Sequence, residues 1–188
     1  MTAVTRNDYV VRAIRPDDWE RVRQLRLDAL RDPVAHLAFL ETYEEAASKP
    51  DSFWQDRAVG SGEGSTTAQQ FIAETPDGTW AGSVTVLMEE PGTQDWAGNP
   101  VERRQGHAAG VFVRPEHRGN GLIEALFAAG LAWAWQQAAE RVRLFVHEDN
   151  LRAQTAYRRI GFAPSGLVVV FSKDESANEL EFVLERPA

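Results

Sequence analysis

The chain contains no cysteine, which excludes disulfides, thiolate metal ligands and a cysteine nucleophile together. Lysine is almost as scarce, with 2 lysines against 18 arginines. Basic charge is short overall: 20 Lys and Arg face 28 Asp and Glu, for a formal net charge of -8 at pH 7. Non-specific binding to nucleic acid needs a basic face that neutralises phosphates, so no nucleic-acid partner is expected. The balance mildly favours cationic or amine-bearing partners, although acidity also serves solubility alone. Long apolar runs are missing too. No window reaches the length of a membrane span, and the opening MTAVTRNDYVVRAIRPDD lacks an apolar signal core. A cytoplasmic protein with no membrane partner is the expectation.

What is present is ordinary for a globular domain: 43% hydrophobic and 26% charged residues in 188. That length buries a sizeable core, so residues 1–188 are read as one domain. Strands are expected over 9–14, 70–74, 79–88, 107–113, 142–146, 167–171 and 179–184, where β-branched and aromatic residues gather between turn signals. Pro16-Asp17-Asp18 opens a helix in which Trp19, Val22, Leu25 and Leu30 recur near the helical period. Short helices are expected around 43–48 and 52–58, and longer ones over 121–137 and 151–160. Residues 89–104 form a polar connection long enough to suggest function or mobility. Helices interleaved with strands imply an α/β or α+β domain around a mixed sheet.

One stretch raises a chemical question. VFVRPEHRGNGLIEALF, residues 111–127, runs from a strand through Arg118-Gly119-Asn120-Gly121 into an apolar helix. A helix start leaves N–H groups unpaired and carries partial positive charge. Glycines before it let a ligand approach the backbone, so the turn is a ready anion site. It is neither a Walker loop, which needs a Gly-Lys-Ser/Thr ending, nor a dinucleotide fingerprint, which needs a third glycine after Gly121. A tight connection without any ligand is the alternative. Beyond it lies VHEDNLRAQTAYRRIGF, residues 146–162. Asn150 is a natural N-cap there, Ala153, Ala156, Tyr157 and Ile160 share a helical face, and Gly161 is a fitting stop.

The two stretches together resemble the GNAT superfamily of acetyl-CoA-dependent N-acetyltransferases. Arg118, Gly121 and Ile123 occupy the marked places of that family's pyrophosphate loop, Arg/Gln-x-x-Gly-x-Gly/Ala. Asn150 to Ala153 and Tyr157 to Phe162 match its second signature. The close resemblance covers about residues 106–162, and Ile123 departs from the pattern, which has Gly or Ala there. The resemblance implies a GNAT-like single domain: a central mixed, mostly antiparallel sheet of six or seven strands flanked by helices.

It also implies an activity: acetyl transfer from acetyl-CoA (coenzyme A as cosubstrate, no metal) directly to a primary amine of an unidentified small molecule or peptide. The alternative is a non-catalytic acyl-CoA-binding module of the same fold. By resemblance the pantetheine pairs with Val111, Phe112 and Val113. The pyrophosphate sits on Arg118, Gly119, Asn120, Gly121, Leu122, Ile123 and Glu124, with Asn150 and Tyr157 completing the cofactor site. A main-chain N–H near Val113 would hold the carbonyl oxygen, and Tyr157 is the expected acid for the leaving thiolate. The base is open among His107, the leading candidate, and Glu148, His147, Glu89 and Glu90, with a water chain as the alternative. Phe39, Tyr43, Trp54 and Trp96, beside Glu41, Glu44, Glu45, Glu89, Glu90 and Asp95, are candidates for the acceptor site, since aromatic faces suit a cation. Many relatives dimerise, which allows a homodimer.

Overall fold

A computed structural model describes residues 8–188. The first seven residues, on which part of the leader reading falls, lie outside the described residues. Seven strands form one sheet: β1 (Val10–Ala13), β2 (Ala68–Glu74), β3 (Trp80–Glu89), β4 (Gln105–Val113), β5 (Arg141–His147), β6 (Ala163–Val170) and β7 (Asn178–Glu185). Their order is β1-β2-β3-β4-β5-β7-β6. Every neighbouring pair is antiparallel except β4 and β5. The helices are α1 (Trp19–Leu30), α2 (Ala35–Ala38), α3 (Tyr43–Ala47), α4 (Asp51–Gly60), α5 (Leu122–Gln136) and α6 (Leu151–Ile160). Among the described residues no helix is long and apolar enough to cross a membrane.

Strand alternation divides the core in two. Phe71 and Ala73 of β2 join Val84, Val86, Leu144 and Phe182 in a cluster packed against Leu126 and Phe127 of α5 and Tyr157 of α6. Ile72, between them in sequence, points the other way and joins Trp80 and Phe112 in a cluster with Val22, Leu25 and Trp54 of α1 and α4. Successive strand residues face opposite sides, so each face receives its own helical layer.

Two local differences from the sequence reading have physical causes. The single turn α2 (AHLA) is too short to show a period. β6 begins at Ala163 rather than near residue 167, running through Pro164 and Gly166 with an irregular register against β7. Proline is tolerated there because β6 is the sheet edge.

The feature that positions the site lies in β4. Ser83 pairs with Phe112 while Thr85 pairs with Ala109, so one residue of β3 opposes two of β4. Gly110, inside this bulge, has a left-handed φ of 61°, which glycine adopts without steric cost. The bulge bends the strand. β4 and β5 pair only where Gln105, Gly106 and His107 meet Arg141, Val142 and Arg143, and the two strands separate beyond that point.

Candidate active site

Parallel strands that separate leave main-chain groups along the split without a ladder partner. Here they belong to β4 after His107. At the end of β4, Arg118 to Gly121 turn the chain into α5. Gly119 (φ 78°) and Gly121 (φ 74°) both take the left-handed conformation, and Gly121 stands at the helix N-cap position. The first N–H groups of α5 therefore open outward with the positive end of the helix dipole. A cavity of about 550 Å³ lies across this region. Every residue expected to hold the cofactor lines it except Asn120, which is exposed.

The Arg118 guanidinium at the mouth of the turn is engaged within the protein. Nε donates to the Val113 carbonyl at 2.9 Å, and the far nitrogen ion-pairs with the buried Asp32 carboxylate. Burial alone would raise the Asp32 pKa, but the Val34 N–H and Arg118 hold it below the ordinary carboxylate value. Ile123 lines the cavity and packs against the main core. Glu124 pairs with Arg159 at 3.4 Å. Arg152, exposed on α6, lines the same cavity and has no ion pair among the described residues. It was not singled out from sequence, where an arginine on a solvated helix face carries no signal.

A second cavity, about 770 Å³, lies on the other side of Asn150 and Tyr157. The two share Ala38, Phe39, Val111, Asn150 and Tyr157. Asn150 caps α6 as expected, its Oδ1 accepting from the Ala153 N–H at 3.3 Å. That cap fixes the first turn of α6, and Tyr157 two turns on is held edge-to-face by Phe127 (5.7 Å between centroids) and Phe162 (6.3 Å). The Tyr157 hydroxyl has no hydrogen-bond partner among the described residues, and burial raises its pKa above the ordinary 10.

The candidate bases separate by environment. His107 is on the wall of the second cavity. Burial lowers its pKa to about 4, against the opposing pull of Glu89 and with help from Arg143. It is neutral at physiological pH and weak as a base. Glu89 lines the cavity too but is bound by Arg143 at 2.6 and 2.9 Å. Glu90 is paired with Arg104. Glu148 accepts from the Asn178 N–H at 2.8 Å, tying the end of β5 to β7. His147 accepts at Nδ1 from the Asp149 N–H at 3.1 Å, which shapes the turn into α6.

The acceptor-site aromatics divide likewise. Phe39 and Trp96 line the second cavity, Trp54 is wholly buried in the helical core, and the Tyr43 ring lies beneath Arg31. Glu45 closes the capping box of α3 with Thr42. Glu179 was not anticipated. It is 9% exposed, lines the second cavity, and one of its oxygens is shut from solvent without a hydrogen-bond partner. Burial alone raises its pKa.

A split sheet edge and a helix start preceded by two left-handed glycines lie along one cavity, and a second cavity shares the buried Tyr157 with it, in one α/β domain. The chain belongs to the acetyltransferase (GNAT) family, whose sequence profile matches residues 19–162. It is 35% identical over 92 residues to a mycothiol acetyltransferase of Saccharomonospora viridis, covering 49% of this chain and 29% of that one. Five such enzymes match, and the chain spans only 21% to 29% of their length. Among solved structures, an acetyltransferase of the GNAT family from Streptococcus pneumoniae superposes with a TM-score of 0.66 at 18% identity, covering 95% of this chain and 100% of that one. yncA from Salmonella typhimurium, solved with its cofactor acetyl-CoA, superposes with a TM-score of 0.66 at 13% identity, covering 95% and 94%. At these identities the structural likeness establishes the fold, which is the single domain with a seven-stranded, mostly antiparallel sheet described above.

Proposed function

We propose that the protein is an N-acetyltransferase that moves an acetyl group from acetyl-CoA directly to a primary amine. The observation that carries this reading is that two cavities meet at Tyr157, and one of them ends on the glycine turn and the start of α5. Acetyl-CoA fits the residues present there. The open edge of β4 after His107 offers main-chain partners to its amides, and the α5 start and Arg152 offer N–H groups and charge to its phosphates. It would supply the acetyl thioester.

The chain's own residues meet the remaining demands. An alkyl amine has a pKa of about 10.4 and must lose a proton in the second cavity before it can attack. The Tyr157 hydroxyl keeps its proton at neutral pH, as an ordinary phenol does, and burial raises its pKa further. Donation to a thiolate whose conjugate acid has a pKa of about 8.5 is uphill by about 1.4 kcal/mol for each unit of mismatch. Fixed placement by Phe127 and Phe162 makes that step accessible. The names of the matching relatives, all acetyltransferases, support the same reading.

The test is calorimetric titration with acetyl-CoA, followed by thiol release across a panel of amines. Because the chain has no cysteine, every thiol detected belongs to the product. Binding with turnover of an amine is expected. Binding without turnover of any amine would favour an acyl-CoA-binding module, and no binding would overturn the reading.

A further inference from the structure

The second cavity is lined by six side chains that can carry charge: Arg26, Glu41, Arg57, Glu89, His107 and Glu179. Four of them have partners. Arg26 pairs with Glu41 at 3.0 Å, and Glu41 also holds Lys49. Glu89 pairs with Arg143, and His107 lies 3.7 Å from Glu89. The other two, Arg57 and Glu179, have no ion pair or side-chain hydrogen bond among the described residues. They have opposite charge, face one cavity, and are not paired with each other.

An uncompensated charge in a desolvated site is costly, and both of these groups show that strain. Burial lowers the pKa of Arg57, an effect that Arg26 deepens and Glu41 opposes. Burial raises that of Glu179. Their surroundings add to the polarity. Behind the lining residue Glu89, Arg143 is outnumbered by Glu89, Asp95 and Glu181. Around the lining residue Glu41 the balance is reversed: it is outnumbered by Arg26 and Arg57 of the lining and by Lys49 behind it. The cavity also has apolar lining, with Phe39, Leu87, Met88, Trp96 and Phe145.

We propose that the acceptor is a zwitterion, an amino acid with an apolar side chain: its ammonium seats on Glu179, which takes its proton, and its carboxylate seats on Arg57. This rests on the acetyltransferase reading and names its acceptor. In the proton step the ammonium N–H bond breaks, the electron pair stays on nitrogen as the nucleophile, and the proton passes to the Glu179 carboxylate and from there to water. A carboxylate whose pKa is moved toward neutrality suits that task. The planar guanidinium of Arg57 matches a carboxylate in two-point geometry.

The test compares L-methionine and L-phenylalanine with their carboxamides and their decarboxylated amines, read by thiol release. The amino acids are expected to be better substrates than either analogue by about tenfold or more in kcat/KM, the scale of a lost charge-assisted hydrogen bond. Arg57→Gln should raise KM for the amino acids, leave kcat nearly unchanged and abolish the preference over carboxamides; Arg57→Lys should restore part of it. Glu179→Gln should lower kcat by about 100-fold for all amines, with acetyl-CoA affinity kept and no loss of melting temperature. Equal or better turnover of the carboxamides, or a preference that survives Arg57→Gln, would overturn the zwitterion assignment and leave the acetyltransferase standing. So would acetyl-CoA binding with turnover confined to amines outside the panel. Failure of the parent to bind acetyl-CoA would remove both readings.

Discussion

Arg118 joins the end of β4 to Asp32, donating to the Val113 carbonyl at 2.9 Å and closing an ion pair on the Asp32 carboxylate. The glycine turn is thereby clamped between the sheet and the segment just after α1. Its arginine acts through geometry as well as charge, because a guanidinium can donate along two directions and an ammonium cannot hold both in the same fork. Arg118→Lys should therefore weaken acetyl-CoA binding nearly as much as Arg118→Ala, each by about tenfold, the scale of one or two charge-assisted hydrogen bonds. Calorimetry decides: full affinity in the lysine variant would show that charge alone matters.

Tyr157→Phe keeps the ring contacts with Phe127 and Phe162 and removes only the hydroxyl. Turnover should fall by about 100-fold to 10,000-fold, the range for a lost general acid, while the acetyl-CoA dissociation constant stays within about twofold. In the parent, the raised phenol pKa keeps the hydroxyl protonated beyond pH 10, so loss of its proton should produce no fall in kcat below that pH. A variant as fast as the parent would remove Tyr157 from the chemistry.

Glu179 should make the free protein more stable when it is neutralised. Its folded pKa is raised above the ordinary 4.5, so the folded state holds the proton more tightly than the unfolded chain. Ionisation subtracts stability above the raised pKa, and that loss is recovered as pH falls toward 4.5. Glu179→Gln should raise Tm at pH 8 by about 2–4 °C, equivalent to about 1 kcal/mol in a chain of this size, with the gain vanishing near pH 4.5. A constant gain at both pH values would contradict the buried-carboxylate assignment.

Arg143, 2% exposed, holds Glu89, Asp95 and Glu181 at 2.6, 2.9 and 3.1 Å. Removing one member of such a buried cluster leaves charges uncompensated and costs about 3–5 kcal/mol. Arg143→Met should lower Tm by about 6–20 °C at pH 7. Burial works against ionised Asp95, but the Asn99 N–H and Arg143 overcome it and lower the Asp95 pKa. The stability this gives is present above the ordinary 3.8 and lost as pH falls through the lower folded value, so the variant's deficit should narrow in acid. A melting series from pH 3 to pH 8 checks both.

The parts of the site legible in the sequence are those whose signal is local. Gly119 and Gly121 announce a turn because few other residues take positive φ, and Asn150 and Gly161 bracket α6 with a cap and a stop. The β-branched and aromatic runs of β2 and β3 on either side of a turn, and the helical period in α1, were equally readable. The second cavity was not, because sheet pairing builds it. Glu179 reaches it only through the register that sets β7 beside β5, with Glu179 opposite His147. Arg57 looks like any arginine on a short helix until α4 is placed against the open face of the sheet. Residues 89–104 read as a free connection, yet Asp95 is fastened to Arg143 of β5, a partner that no local pattern reveals.

Direct transfer between two cavities that meet at Tyr157 requires both ligands to be present together. Initial rates of thiol release, varied over acetyl-CoA and an accepted amine, test this most directly. Intersecting double-reciprocal lines are expected, because no step can occur until both cavities are filled. Parallel lines, the signature of an acyl-enzyme formed before the amine binds, would contradict it.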